Sequence, residues 1–563
     1  ITGSLPDTQL HPLLARVYSA RGLTSGEDLD LGLARLIPPA QLHNAERAAG
    51  LLADALAADR KILIVGDFDA DGATSTTLAV STLRAFGAKQ VDYLVPNRFE
   101  YGYGLTPEIV NVAAELQPDL IMTVDNGISS IDGVETARQL GIKVLITDHH
   151  LPGEQLPAAD AIVNPNTVGD PFPSKNLAGV GVAFYVMLSL RARLREQGWF
   201  DSAAIAEPNL AQYLDLVALG TVADVVPLDR NNRILVQQGV QRMRAGRCVP
   251  GIRALLEAGG RSLIRLVSTD LGFTVGPRLN AAGRLDDMSL GIECLLTDDA
   301  QAAAEMAARL DTQNRERKEI ESDMQSRALA AIDSLKLDER QLPVGLCLFE
   351  PDWHQGVIGI LAARIKERFH RPVIAFARSG DGEIKGSARS VSGLHIRDAL
   401  DAVAARHPDL IAKFGGHAMA AGLSLPEDHY PAFAAAFDEE VSRQLSRDQL
   451  RGIVYSDGEL SGQELSLETA QLLRDASPWG QGFPAPVFEG DFDVVSHRVV
   501  GQRHLKMTLS PGRGDGQIDG IAFNTETLPR GSQRVHMAYR LDVNEYRGIV
   551  TPQLIVEHME ARR

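Results

Sequence analysis

Cysteine is scarce: three residues in 563, Cys248, Cys294 and Cys347. None forms a CxxC pair, which excludes a disulfide framework and a thiolate zinc site. A reducing compartment is expected. No apolar run reaches 18 residues, so no membrane span is expected. The first residues, Ile1-Thr-Gly-Ser-Leu5, lack a basic-then-apolar signal and begin without Met. A trimmed chain and a cytoplasmic location are the expectation. Cationic residues are also in deficit, with Lys+Arg 56 against Asp+Glu 73 and a net charge of −17. Such a surface disfavours nonspecific attraction to nucleic acid or anionic membrane. It leaves room for nucleic acid in a locally basic groove, and surplus carboxylates suit divalent metals.

What remains is ordinary globular material, 44% hydrophobic and 23% charged. The length predicts three or four domains. Residues 1–45 read as a helical lead-in. Four short apolar runs follow, Lys61–Gly66, Val91–Val95, Leu120–Val124 and Lys143–Thr147, alternating with helical segments. That rhythm means βαβ units and a parallel sheet. Residues 176–335 are mainly helical and end in a long Ala-rich helix from Thr297. A second α/β pattern starts near Val344. Five short strand-like runs beyond residue 451 suit a small barrel of OB type. The expected architecture is α/β: a parallel-sheet domain at 46–296, a connecting helix at 297–336, a second α/β domain at 337–450 and a β-barrel at 451–563.

The chemistry gathers at strand ends. The first strand runs into Asp67-Phe-Asp69-Ala-Asp71-Gly72, the third into Asp125-Asn-Gly127 and the fourth into Asp148-His149-His150. In an open parallel sheet, ligands bind outside the carboxyl ends of the strands. Unpaired carboxylates crowded in a partly buried crevice repel one another, and divalent cations remove that cost. Oxygen-rich ligation with imidazole suits Mn²⁺ or Mg²⁺ better than zinc. Two such ions are the usual equipment for phosphoryl transfer to water. Calcium is discounted, because Leu78 stands where an EF-hand loop needs its twelfth-position Glu. Asp224, alone in the apolar run Leu219–Leu228, is a further candidate ligand. Arg98 is a candidate phosphate contact. So are Arg278 and Arg284 in the Gly276–Arg284 segment, and Ser387, Arg389 and His417 in glycine-rich loops. Gly415-Gly416 is read as preceding a helix and offering backbone N–H groups to an anion.

These motifs together resemble the DHH phosphoesterase superfamily. The segments are Val65–Ser75, Asp125–Ser130, Thr147–His150, Gly220–Pro227 and Gly276–Arg284. The Phe414–Gly422 segment resembles its DHHA1 companion domain. The ordered set, with the barrel, is most similar to the branch that digests single-stranded DNA. The resemblance implies a 5′→3′ exonuclease releasing mononucleotides for DNA repair and recombination. It implies ligands at Asp69, Asp71, Asp125, His149 and Asp224, with Asp67 as a possible further one and Asp125 bridging two ions. Asp71 and Asp125 then serve catalysis through the ions, and His150 stands beside the scissile phosphate. Arg98, Tyr103, Arg278, Asn280, Arg284, Ser387, Arg389, Gly416 and His417 line the substrate path. Relatives with a His-x-x-x-Asp-x-Asp first motif have His where this chain has Val65, so what completes the first ion's shell stays open. Barrel candidates for DNA contact are Phe492, Arg498, Arg503, His504, Lys506, Phe523, Tyr539 and Tyr546, several of which must be core. The single-strand-binding protein and a RecQ-type helicase are the implied partners. Cleavage of short oligonucleotides or cyclic dinucleotides, RNA cleavage, and binding without catalysis are the alternatives.

Overall fold

The structure, a computed structural model, describes residues 10–96, 104–334, 342–380, 382–416, 418–501, 503–512, 516–529, 533–546 and 548–562. Arg98, Tyr103 and His417 lie outside the described residues. The chain divides into two compact units. One comprises 1–280, 288–308 and 454–563; the other comprises 281–287 and 309–453.

The first unit is built on five parallel strands. They are β1 (Ile62–Gly66), β2 (Val91–Leu94), β3 (Leu120–Val124), β4 (Lys143–Thr147) and β5 (Ala161–Val163), in the order β2-β1-β3-β4-β5. Every residue of β1 and β3 is buried. These strands therefore read as continuous apolar runs rather than alternating ones. The order reverses at β1, which places a crevice outside the ends of β1 and β3. The Ala70–Ala85 helix leaves β1 and is buried along most of its length. The Gly179–Glu196 and Leu214–Ala223 helices pack against it. Close approach there requires glycine. A Cβ at Gly220 would stand 2.3 Å from Thr74 Oγ1 and 2.7 Å from Asp71 Oδ1.

The second unit holds β6 (Leu346–Phe349), β7 (Val373–Gly380), β8 (Glu383–Arg389), β9 (Lys413–Gly416) and β10 (Ala420–Pro426), in the order β6-β7-β8-β10-β9. Only β6 and β7 are parallel. Two expectations are corrected here. Gly386–Arg389 is not a loop but the end of β8, where a Cβ on Gly386 would meet Phe376 Cε1 at 2.5 Å. Gly415-Gly416 precedes no helix; it closes β9 and pairs with β10. Its φ of 147° and a Cα of Ala421 only 2.4 Å from a Cβ at 416 explain the glycine. The Gly276–Leu285 segment, which carries Arg278 and Arg284, is a helix. Pro277 sits in its first turn, where no N–H is needed. The long helix spans Ala300–Ser334.

The first unit also carries a closed barrel of β11 (Phe488–Val500), β12 (His504–Ser510), β13 (Ile518–Ala522), β14 (Arg534–Tyr546) and β15 (Ile549–Ala561). All five predicted barrel strands are present. Burial alternates along β12 and β13, as a closed small barrel requires. Phe492 and Tyr539 are core, their rings edge-to-face at 5.4 Å. Phe523 and Tyr546 are exposed. Arg21 with Asp457 (2.9 Å), Arg244 with Asp475 (2.8 Å) and Arg265 with Glu545 tie this region to the remainder of the unit.

Candidate active site

Each strand end contributes through its own local chemistry. After β1 the chain turns at Asp67–Asp69, and Asp69 caps the Ala70–Ala85 helix. Its Oδ1 accepts from Asp71 N (2.9 Å) and Gly72 N (3.0 Å). Gly72 is obligatory, since a Cβ there would lie 2.4 Å from Asp67 O. Asp71 is almost wholly buried. Its Oδ2 accepts from Gly179 N at 2.6 Å and its Oδ1 from Val180 N at 2.9 Å, so it sits on the N-terminus of the Gly179–Glu196 helix. Gly179 also makes room for Asp125, whose Cβ would be 2.6 Å from a Cβ at 179.

Asp125 follows β3 with φ 63°, a left-handed turn that Asp tolerates better than most residues. Asn126 locks this turn by donating to Val65 O (3.1 Å) and Val124 O (2.9 Å). After β4, Asp148 is the organiser. One oxygen accepts from His149 N (2.7 Å), His150 N (3.1 Å) and His150 Nδ1 (2.7 Å), and the other from Ile128 N (2.9 Å). Asn164 and Asn166 donate to the carbonyls of His150 and His149 at 2.8 and 2.6 Å. Asp224 caps the Leu214–Ala223 helix at its C-terminus. Its Oδ2 is buried without a hydrogen bond, 3.5 Å from His149 Nε2. His149 Nε2 also lies 3.1 Å from Asp125 Oδ1.

Three overlapping groups have ligand atoms within 4.8 Å of one another: Asp67, Asp69 and Asp125; Asp125, His149 and His150; Asp71, His149 and Asp224. The electrostatics say what this set lacks. Burial, then the Asp69 charge, pushes Asp71 up to about 7 despite the two helix N–H groups. Burial, followed by the charges of neighbouring aspartates, holds Asp125 and Asp224 well above the usual carboxylate range. Burial opposes a cationic His150, but the Asp148 hydrogen bond and charge outweigh it and raise the imidazole to about 9. Burial alone would lift Asp148; His150 and the Ile128 N–H bring it below the ordinary value. Five aspartates crowded together, with imidazole among them, fit hard divalent cations.

The structure therefore brings together Asp67, Asp69, Asp71, Asp125, His149, His150 and Asp224. The described substrate candidates each have partners of their own. Asn280 Oδ1 accepts from Ala70 N at 2.7 Å, so it holds the start of the helix that carries Asp71. Arg278 donates to Thr274 O (2.6 Å). Arg284, in the second unit, donates to Gly356 O (3.1 Å). Arg389 and Ser387, also in the second unit, are hydrogen-bonded at 3.2 Å beside the start of the Ile358–Phe369 helix. There a Cβ on Gly359 would lie 2.9 Å from Arg389 Nη2 and from Ser387 Oγ. Burial pulls Arg389 below its ordinary value. Gly416 is accounted for by its strand pairing. Sequence reasoning gives no role to Asp148, Asn126, Asn164 or Asn166. Asp148 is legible as an acid directly after a buried strand. The Asn164-Pro-Asn166 signal is weaker, since β5 is only three residues long.

Comparison with known proteins accords with this geometry. Family models match three regions: DHH family, N-terminal domain, at residues 61–221; DHHA1 domain at 342–443; and RecJ OB domain at 456–558. The chain is 57% identical over 558 residues to a single-stranded-DNA-specific exonuclease RecJ of Dickeya dadantii, covering 99% of this chain and 97% of that protein. It is 56% identical over 561 residues to that of Escherichia coli, again covering 99% and 97%. Among solved structures, RecJ in complex with Mn²⁺ from Thermus thermophilus superposes with a TM-score of 0.80. The identity is 31%, over 100% of this chain and 79% of that one. With relatives this similar along almost its whole length, the chain belongs to the RecJ family of single-stranded-DNA-specific exonucleases.

Proposed function

We propose that the protein hydrolyses single-stranded DNA from its 5′ end and releases mononucleotides. The reaction would use two Mn²⁺ or Mg²⁺ ions held at the strand ends of the parallel sheet. The observation that carries this reading is the crowding of Asp67, Asp69, Asp71, Asp125 and Asp224 around His149. Asp125 and His149 each belong to two of the three candidate ligand groups, which suits them to join two neighbouring ions. Asp67 and Asp69 would help hold one ion, and Asp71 and Asp224 the other. A solved relative is described with Mn²⁺ and another structure of it with Mg²⁺. Bound ions would polarise the scissile phosphate and supply an activated water at neutral pH.

The chain's own residues do the remaining work. Asp148 fixes the Nδ1 side of His150 and stabilises its cationic form. His150 Nε2 would donate to a phosphate oxygen or to the departing 3′-oxygen. Asn164 and Asn166 hold the backbone of both histidines. Arg389 and Ser387, beside a helix N-terminus, offer a guanidinium, a hydroxyl and backbone N–H groups to a terminal phosphate. Capture of that phosphate is what would set the 5′→3′ direction. Exposed Phe523 and Tyr546 on the barrel suit base stacking. We further propose a cytoplasmic, nucleoid-associated setting, with single-strand-binding protein and a RecQ-type helicase supplying the strand.

The test is a time course with Mn²⁺ on 5′-labelled and 3′-labelled single strands, a blunt duplex and a dinucleotide. Immediate release of 5′ label as mononucleotide, with the duplex intact, is expected. Release of 3′ label first would overturn the direction, and cleavage of the dinucleotide alone would overturn the substrate.

A further inference from the structure

A second cleft lies in the first unit, away from the metal ligands. Its volume is about 560 Å³, and Arg84, Arg242, Arg247, Gln212, Tyr213 and Asp298 are among its lining residues. Two helices relate it to the active site. The Ala70–Ala85 helix carries Asp71 in its first turn and Arg84 in its last, about 20 Å apart at 1.5 Å per residue. The Leu214–Ala223 helix runs the other way. It starts beside Tyr213, at the cleft, and is capped by Asp224, at the metal site. The cleft therefore occupies the far ends of both helices.

Its charge is out of character for the chain. Three guanidinium groups face one carboxylate there, in a protein of net charge −17. Arg84 spends one nitrogen on Val91 O at 3.3 Å. Arg242 has a buried Nε with no hydrogen-bond partner. Asp215, buried in the first turn of the Leu214–Ala223 helix, is committed to the cleft wall, because it accepts from Leu216 N and Val249 N at 2.8 Å each. That leaves Asp298 as the lining carboxylate, and it is exposed. Three cations gathered in a concave site with fewer acids, Asp298 in the lining and Asp215 acting on Arg242 from the wall, are a recognition element for phosphate. Tyr213 supplies a flat, partly apolar wall of the kind that accepts a sugar or base. The volume lies within the range of small-molecule sites.

We propose that this cleft binds a phosphate-bearing small molecule of nucleotide size, at a site separate from the catalytic one. Two sources share that chemistry, inorganic phosphate and a nucleoside 5′-monophosphate. Calorimetric titration of the full chain in EDTA, once with phosphate and once with 2′-deoxyadenosine 5′-monophosphate, distinguishes them. One equivalent of ligand is expected to bind in the cleft, in addition to any held at Arg389 and Ser387. Arg242→Gln with Arg247→Gln should weaken binding about tenfold or more, given the strength of charge-assisted hydrogen bonds. Arg84→Gln, at an exposed position that leaves packing intact, should weaken it to a smaller extent. Asp125→Ala and Arg389→Gln should leave it unchanged. Equal affinity for the two ligands supports the site with phosphate as the recognised group; tighter nucleotide binding supports it with the base or sugar included. Absence of the cleft equivalent overturns the proposal. So does its survival through all three cleft substitutions, or its loss with Arg389→Gln.

Discussion

The two α/β regions place their chemistry in opposite ways. In the parallel-sheet region, most reactive side chains stand just past a strand, at Asp67–Asp71, Asp125 and Asp148–His150, while Asp224 comes from the end of a helix. In the mixed sheet, Ser387 and Arg389 lie inside β8, where alternate residues face opposite sides. A turn residue is positioned by local devices, such as the Asp69 cap, the left-handed Asp125 and the Asp148 clamp. A strand residue is positioned by register with its neighbours, Ala375 and Gly422 for Ser387. The first kind of site announces itself along the chain; the second exists only after the sheet has paired.

The strongest way to sharpen this comparison is to remove one residue of each kind. Asp125→Ala should lower nuclease turnover about 10³-fold or more, because charge stabilisation at the reacting phosphate is the dominant effect. Circular dichroism should show the fold retained. Arg389→Gln should instead raise KM for 5′-phosphorylated substrate about 10²-fold, in line with losing a charge-assisted contact, with a much smaller effect on kcat. Steady-state kinetics on 5′-phosphate and 5′-hydroxyl strands would show the split, and an equal loss on both would break the assignment. Asp148→Asn comes next. It keeps the shape but weakens the His150 clamp, and an outer partner of this sort is worth about 10–100-fold in activity or metal affinity.

The smallest effect concerns stability without metal. Asp71 has a folded pKa of about 7 against an ordinary 3.8. The folded state thus binds more protons than the unfolded state between those values. In EDTA this contribution is fully present below the unfolded pKa and is lost as pH rises through about 7. Chemical denaturation should therefore show stability falling from about pH 4 to 7 through Asp71. Mn²⁺ should abolish that fall, since it favours the ionised carboxylates. A flat profile in EDTA would mean the cluster is already compensated.

Legibility follows the same division. The runs Leu120–Val124 and Lys143–Thr147 match β3 and β4 to the residue, because strands buried on both faces are continuous apolar blocks bounded by polar turns. The metal-ligand candidates are legible for the same reason: an acid directly after such a block has little reason to be there otherwise. The barrel strands are found but read short. β14 and β15 run 13 residues each, and their ends alternate polar and apolar in a way that resembles loop. Glycine misleads in the second unit. At Gly386 and Gly416 it serves close packing and strand pairing rather than a turn, and a single chain does not show which neighbour will approach. Asn280 reads as part of the substrate path, yet its amide caps a helix 210 residues earlier; only the fold reveals such a partner.

The central claim is that the strand-end carboxylates form a divalent metal site. Isothermal titration of metal-free protein with Mn²⁺, for the wild type and for Asp125→Asn, tests it most directly. The account predicts two ions per chain for the wild type and one or none for the variant. Equal stoichiometry and affinity in the two proteins, or no binding to either, would contradict it.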